Sequence, residues 1–266
     1  MKKLLIALLA LTLALSLAGV ASANTAVRIG ASPTPHAEVL NFVKPLLAEK
    51  GFDLTVVEFT DYIVPNTATQ DGQLDANYFQ HIPYLESFNA ENGTTLVPVI
   101  PMHFEPMGIY PGKSSSLEDI KDGAKIAVPN DPTNQARALL LLQAQGLIKI
   151  DEDKGLLATK LDIVENPHNI DIYEVEAALV PQVLRDVDFA IINGNYALQA
   201  GLSVTKDAVA SEALDSEAAK TRINYVVVKE GNEDAPFVEA LREVLNTDAV
   251  RTFIEDRFGG AVVPAF

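Results

Sequence analysis

Two spacings of apolar residues take turns along this chain. Val27-Arg28-Ile29-Gly30 predicts a short strand ending in glycine, and Val39, Leu40, Val43, Leu46 and Leu47 then recur at helical spacing within residues 36–50. Leu54-Thr55-Val56-Val57 predicts the next strand, residues 83–92 a helix, and residues 96–100 another strand. This strand–helix rhythm predicts α/β architecture, with mostly parallel sheets flanked by helices.

Near Gly108 the rhythm restarts. Gly108-Ile109-Tyr110 leads to the Ser-rich residues 113–116, and Ser116-Leu117-Glu118-Asp119 has capping-box spacing with Asp in the last place. Lys125-Ile126-Ala127-Val128 predicts a strand, Asp131-Pro132 the cap and first turn of a helix, and residues 170–173, 188–192 and 223–228 further strands. Helices are expected at residues 235–245 and 248–258. The restart marks a first crossing between two lobes, and the return is expected near Asn224. A chain that crosses twice leaves a hinged cleft.

Ahead of all this, Lys2 and Lys3 precede an almost wholly apolar stretch, residues 4–18, and Ala21-Ser22-Ala23 follows as a small-x-small site. That is the layout of a secretory signal peptide over residues 1–23, with an uncleaved membrane anchor as the alternative. The 266 residues include 20 Lys+Arg and 36 Asp+Glu, a net charge of −16, which argues against nucleic acid as a partner. The chain has no Cys, so disulfides, thiolate metal sites and a Cys nucleophile are excluded.

Catalytic signatures are absent: there is no His-Glu-x-x-His and no Gly-x-Ser-x-Gly. The stretch from Gly108 to Ser114 is one residue short of a phosphate-binding loop and reads as a turn. His36, His81, His103 and His168 are too widely spaced to predict a metal site. What stands out is aromatic rings together with carboxamides and one arginine. Tyr78-Phe79-Gln80-His81-Ile82-Pro83-Tyr84 gathers rings at a strand-to-helix junction, where open α/β sheets bind ligands, and Tyr62 could join them. The same cluster could equally be core capped by hydroxyls. Asn134 and Arg137 fall on one face of the helix begun by Pro132; a helix N-terminus favours a carboxylate, and guanidinium can bind one side-on. Arg137 could instead pair with a surface acid. Asn193 and Asn224 are further candidates, although Asn often only closes a turn.

Several longer stretches occur in one order: Pro35-His36-Ala37-Glu38, Asp61-Tyr62, Asp75-Ala76-Asn77-Tyr78-Phe79-Gln80-His81, Glu105-Pro106-Met107-Gly108, Pro129-Asn130-Asp131-Pro132-Thr133-Asn134, Leu139-Leu140-Leu141-Leu142-Gln143, Val164-Glu165-Asn166-Pro167 and Gly260-Ala261-Val262-Val263-Pro264. Across the mature chain this resembles the methionine-binding proteins of bacterial ABC importers, in the NlpA lipoprotein family. The resemblance implies a two-lobed, type II-like periplasmic-binding-protein fold, with residues 24–108 plus 225–266 as lobe I and 109–224 as lobe II. It implies a binding protein and not an enzyme, a monomer without cofactor or metal, and a permease and ATPase as partners. By resemblance Tyr62, Phe79, His81 and Tyr84 line the methionine side-chain pocket, Arg137 takes the carboxylate, and Asn134, Asn193 and Asn224 surround the head group. Sulfur–aromatic contacts of ~0.3–1.5 kcal/mol suit such a pocket.

Two departures are visible. Val20 stands where the lipidated Cys of the family is expected, which implies either a soluble periplasmic protein, cut near Ala23, or an engineered replacement of that Cys. In Asn193-Gly194-Asn195-Tyr196, Gly194 and Asn195 stand where Thr is frequent, which implies tuning of the site. Ligand handedness stays open. So does the choice between methionine and another amino acid, a methionine derivative or a short Met peptide. The reading of another class is an exported amino-acid or peptide-processing enzyme, motivated by His81 and nearby acids.

Overall fold

The computed structural model describes residues 23–214 and 221–266; the expected signal segment therefore lies, but for Ala23, outside the described residues. Two sheets organise the chain. The six-stranded sheet contains β1 (Thr25–Ala31), β2 (Phe52–Glu58), β3 (Ala76–His81), β4 (Leu96–Phe104), β12 (Ile223–Lys229) and β13 (Val263–Pro264), in the order β13-β4-β12-β3-β1-β2. The five-stranded sheet contains β5 (Gly108–Pro111), β6 (Lys125–Pro129), β9 (Asp171–Val175), β10 (Phe189–Ile192) and β11 (Ala210–Ser211), in the order β11-β5-β10-β6-β9. A small hairpin, β7 (Lys149–Ile150) with β8 (Ile163–Glu165), stands apart.

The architecture is two-lobed α/β. Most strands of each sheet run one way, with a reversed minority: β1 pairs in parallel with β2 and β3, whereas β12 runs antiparallel to β3 and β4. In the other sheet β6 pairs in parallel with β9 and β10, while β5 is antiparallel to β10. The antiparallel pairs come from the segments that cross between sheets and enter the second one already reversed. Ile223 and Asn224 already pair with Phe104 and His103, so Asn224 stands in the six-stranded sheet.

Helices pack as their apolar spacing dictates. In α1 (Glu38–Glu49), Val39, Leu40, Val43 and Leu47 are buried, against a core shared with β1 and β3. It begins after a turn at Pro33–Ala37, two residues later than the pattern from His36 predicts. Residues 61–70 give α2 (Val64–Gln70), which a buried amide network ties to β3: Asn66 Nδ2 donates to Gln80 Oε1 (2.9 Å) and Asn77 Nδ2 to Thr69 Oγ1 (2.8 Å). The helices α3 (Ile82–Asn92) and α4 (Pro132–Ala144) each start with proline in the first turn behind a capping side chain. Then come α5 (Gly194–Gln199), α6 (Pro236–Leu245) and α7 (Asp248–Phe258). The second core gathers around β6, β10 and α4, with Ile126, Val128, Leu139, Leu142 and Phe189 wholly buried. Among the described residues no helix is long and apolar enough to cross a membrane.

Candidate functional site

Every residue of β3 is buried, and the strand ends at His81, which caps α3 by accepting from the Tyr84 N–H at Nδ1 (3.2 Å). This strand-to-helix junction places Phe79, His81 and Tyr84 together. Tyr62, just before α2, stacks on Phe79 at 5.6 Å between centroids and meets Tyr84 edge-on at 5.5 Å. Aromatic pairs at such separations favour offset or edge-to-face geometry. Across from this wall, Asp131 caps α4 by accepting from the Asn134 N–H (3.0 Å), and Asn134 and Arg137 lie on the same helix face. Asn193 follows β10 at the start of α5.

All eight candidate residues, Tyr62, Phe79, His81, Tyr84, Asn134, Arg137, Asn193 and Asn224, line one cavity with about 330 Å³ of empty space, counting its mouth. Its walls come from both sheets and their helices. Gln80, Glu105, Gly194 and Asn195 complete the lining.

Hydrogen bonding inside the cavity fixes several protonation states. Since His81 Nδ1 accepts, its Nε2 carries the proton and donates to Asn134 Oδ1 (3.3 Å). Burial, with Arg137 and Arg222 nearby, holds this imidazole well below its usual pKa, so it is neutral. Asn134 Oδ1 also accepts from Asn193 Nδ2 (2.9 Å), and Asn134 Nδ2 donates to both oxygens of Asp131 (2.9 and 3.1 Å). The Asn134 amide is thus fully engaged within the protein.

Arg137 is buried, and its guanidinium is not the open fork that the sequence suggests. Nε donates to Glu212 Oε1 (2.7 Å), and Nη2 to Glu212 Oε2 (2.5 Å) and to the Glu105 carbonyl (2.8 Å). Glu212 also accepts from the Met107 N–H (2.9 Å). Burial would raise the Glu212 carboxyl, but Arg137 outweighs it and the pKa falls below the ordinary value. The side-on edge of Arg137 is therefore occupied from within the chain. Arg222, behind it, is almost wholly buried, and burial lowers its pKa to about 10.

A second buried cluster adjoins the cavity at Glu105. Its Oε1 accepts from His103 Nε2 (2.7 Å) and lies 3.3 Å from His36 Nε2, which also contacts Asn224 Oδ1 (3.1 Å). His103 Nδ1 in turn accepts from the Tyr78 hydroxyl. Burial lowers His36 to about 4 and His103 to about 3, and raises Glu105. The ligand atoms of His36, His103 and Glu105 lie within 4.8 Å of one another. An ion there would have to displace the hydrogen bonds that now occupy the same atoms.

The sequence pattern alone did not single out Glu105, Glu212, Arg222, His36 or His103 as parts of this region. Glu105 and His36 sit inside the conspicuous stretches Glu105-Pro106-Met107-Gly108 and Pro35-His36, and that was the available signal. Gly194 has a clear reason: a Cβ there would stand 2.7 Å from Glu105 Cβ and 2.9 Å from its Oε2. Glu105 can lie against α5 only because position 194 carries no side chain.

Comparison with known proteins agrees with this architecture. The family described as NlpA lipoprotein matches residues 27–266. The methionine-binding lipoprotein MetQ of Bacillus subtilis is 39% identical over 274 aligned residues, covering 99% of each chain. A solved Ruminococcus gnavus chain has a TM-score of 0.90 and 52% identity, over 91% of this chain and all of that one. A nutrient binding protein from Burkholderia cenocepacia, solved bound to methionine, has a TM-score of 0.86 and 43% identity, over 90% of this chain and 100% of that one. With fold, length and motifs in agreement, the chain belongs to the NlpA lipoprotein family.

Proposed function

We propose that this chain captures methionine in the cavity between its lobes and hands it to an ABC importer. It binds its ligand and does not transform it. The observation that carries the reading is one cavity lined by the rings of Tyr62, Phe79, His81 and Tyr84 together with the Arg137 guanidinium and the carboxamides of Asn134, Asn193 and Asn224. A zwitterion with an apolar tail needs both, because a buried charge without a partner is costly and a thioether gains from aromatic contact. The relatives support the same ligand by name: MetQ of Bacillus subtilis is a methionine-binding lipoprotein, and the Burkholderia cenocepacia protein holds methionine.

In this reading the six-stranded sheet and its helices form lobe I, and the five-stranded sheet forms lobe II. The link at residues 105–107 serves as part of the hinge. Tyr62, Phe79, His81 and Tyr84 enclose the tail. Arg137 meets the carboxylate, and Asn193 and Asn224 complete the head-group contacts. Asn134 acts one step back, by holding His81 and Asn193 in place. The partners are a permease and an ATPase, and the working form is a monomer. Relatives are named as lipoproteins, whereas Val20 occupies the expected lipidation position here; export with cleavage near Ala23 and release as a soluble protein follows.

Titration calorimetry on unfolded, ligand-stripped and refolded protein tests the reading. One methionine per chain is expected, and absence of heat with either enantiomer overturns it.

A further inference from the structure

Two carboxamides flank Gly194, and each keeps one buried atom without a hydrogen-bond partner among the described residues: Asn193 Oδ1 and Asn195 Nδ2. The unmet atoms are opposite in kind, one acceptor and one donor. The need at Asn193 belongs to the site already described. The need at Asn195 does not. Asn195 is 3% exposed and lines the cavity, and its Oδ1 accepts from the Tyr62 hydroxyl at 2.6 Å. That bond fixes the amide so that Nδ2 is the atom left over. A buried N–H without an acceptor forfeits the hydrogen bonds it makes to water when unfolded, so such atoms are rare unless a ligand completes them.

We propose that Asn195 is a further ligand-contact residue, donating through Nδ2 to an acceptor oxygen of the bound ligand. The inference rests on the binding reading above. In methionine the only oxygens are those of the carboxylate, and there the Asn195 donor adds to Arg137. In a sulfoxide the tail oxygen is a second candidate of the same chemistry, and the two sources separate by experiment. The pairing also accounts for the local sequence. Asn193 and Asn195 reach the cavity together while Gly194 between them admits Glu105. Asn195 acts on the ligand directly and on Tyr62 at the same time, so its two roles must be taken apart.

Asn195→Asp keeps an oxygen that accepts from Tyr62 and replaces the donor with a charged oxygen, and the neutral variant below separates the charge from the lost donor. Calorimetry of stripped protein with L-methionine and L-methionine sulfoxide is the measurement. A loss of about tenfold or more for both ligands identifies the carboxylate as the acceptor, and a loss confined to the sulfoxide identifies the tail oxygen. Affinities within twofold of the parent for both ligands overturn the proposal. Asn195→Leu in a Tyr62→Phe background guards against effects of the added charge or of misfolding. In that background the Tyr62 bond is already gone, so a further loss of about tenfold supports direct contact. No further loss there overturns it. If the parent protein binds neither ligand, the binding reading itself fails, which is a different result from a parent that binds and variants that bind equally well.

Discussion

The two walls of the cavity differ in how completely their polar atoms are paired. On the side of the six-stranded sheet, the polar atoms of the rings are engaged: Tyr62 donates to Asn195, Tyr84 to the Tyr62 carbonyl, and both His81 nitrogens have partners. On the side of the five-stranded sheet, Asn193 and Asn195 each retain an unmet atom. The first wall has its ring polar atoms paired within the protein, and the second keeps two atoms unpaired among the described residues. Affinity and orientation should therefore be governed mainly by the second wall, and shape and solvent exclusion by the first.

The largest test of this contrast is Arg137→Ala. Removing the guanidinium strands Glu212 and takes the carboxylate partner away. Methionine binding is expected to weaken by about 2–5 kcal/mol, the range for breaking a buried charge pair. Calorimetry reads it, and near-parental affinity would place the carboxylate elsewhere. Gly194→Ala comes next. It pushes a Cβ against Glu105 Cβ, where little can yield, so a stability loss of roughly 1–3 kcal/mol is expected in urea unfolding. An unchanged midpoint would mean that Glu105 shifts freely and that the close approach has no consequence.

The smallest test concerns the first wall and the cluster behind it. His36, His81 and His103 are all depressed in the folded protein, two of them to about 4 and about 3. The unfolded chain binds their protons first, so their stabilising effect is whole above about pH 6.5 and is lost as pH falls toward 4. Glu105 and Asp131, raised by burial, act in the opposite sense and temper the loss. A slope of roughly 1.4 kcal/mol per pH unit for each proton taken up is the scale. His103→Gln is expected to flatten the measured dependence of unfolding free energy on pH, and an unaltered slope would exclude His103 as a source.

How far the sequence foretold the molecule follows from the range of each interaction. Helices α1, α6 and α7 and most strands were legible because an apolar face repeats locally, and the caps at Asp131 and His81 lie within a few residues of what they cap. The mixed pairing of the sheets was hidden, since direction depends on where a crossing segment re-enters. The eight candidate residues sit in recognisable stretches, and they do line one cavity. Their partners were not legible. Glu212 lies 75 residues from Arg137, and Asn195 133 residues from Tyr62, so no spacing rule connects them. The occupied face of Arg137 is the plainest example: a guanidinium looks available in sequence whether or not a distant carboxylate already holds it.

Among the described residues the bonds that join the lobes directly include His81 to Asn134, Tyr62 to Asn195, and the Tyr196 hydroxyl to the Thr60 carbonyl at 3.1 Å. Tyr196 also packs its ring at a tilt against Tyr62 with centroids 4.8 Å apart, yet it is absent from the cavity lining. These contacts form a clasp of protein on protein, and the Tyr196 half contributes equally whichever guest is enclosed. It can lengthen or shorten the dwell time of every guest alike without changing which one is preferred. Tyr196 thereby bears on retention alone, whereas Tyr62 and Asn195, which also line the cavity, bear on retention and choice together.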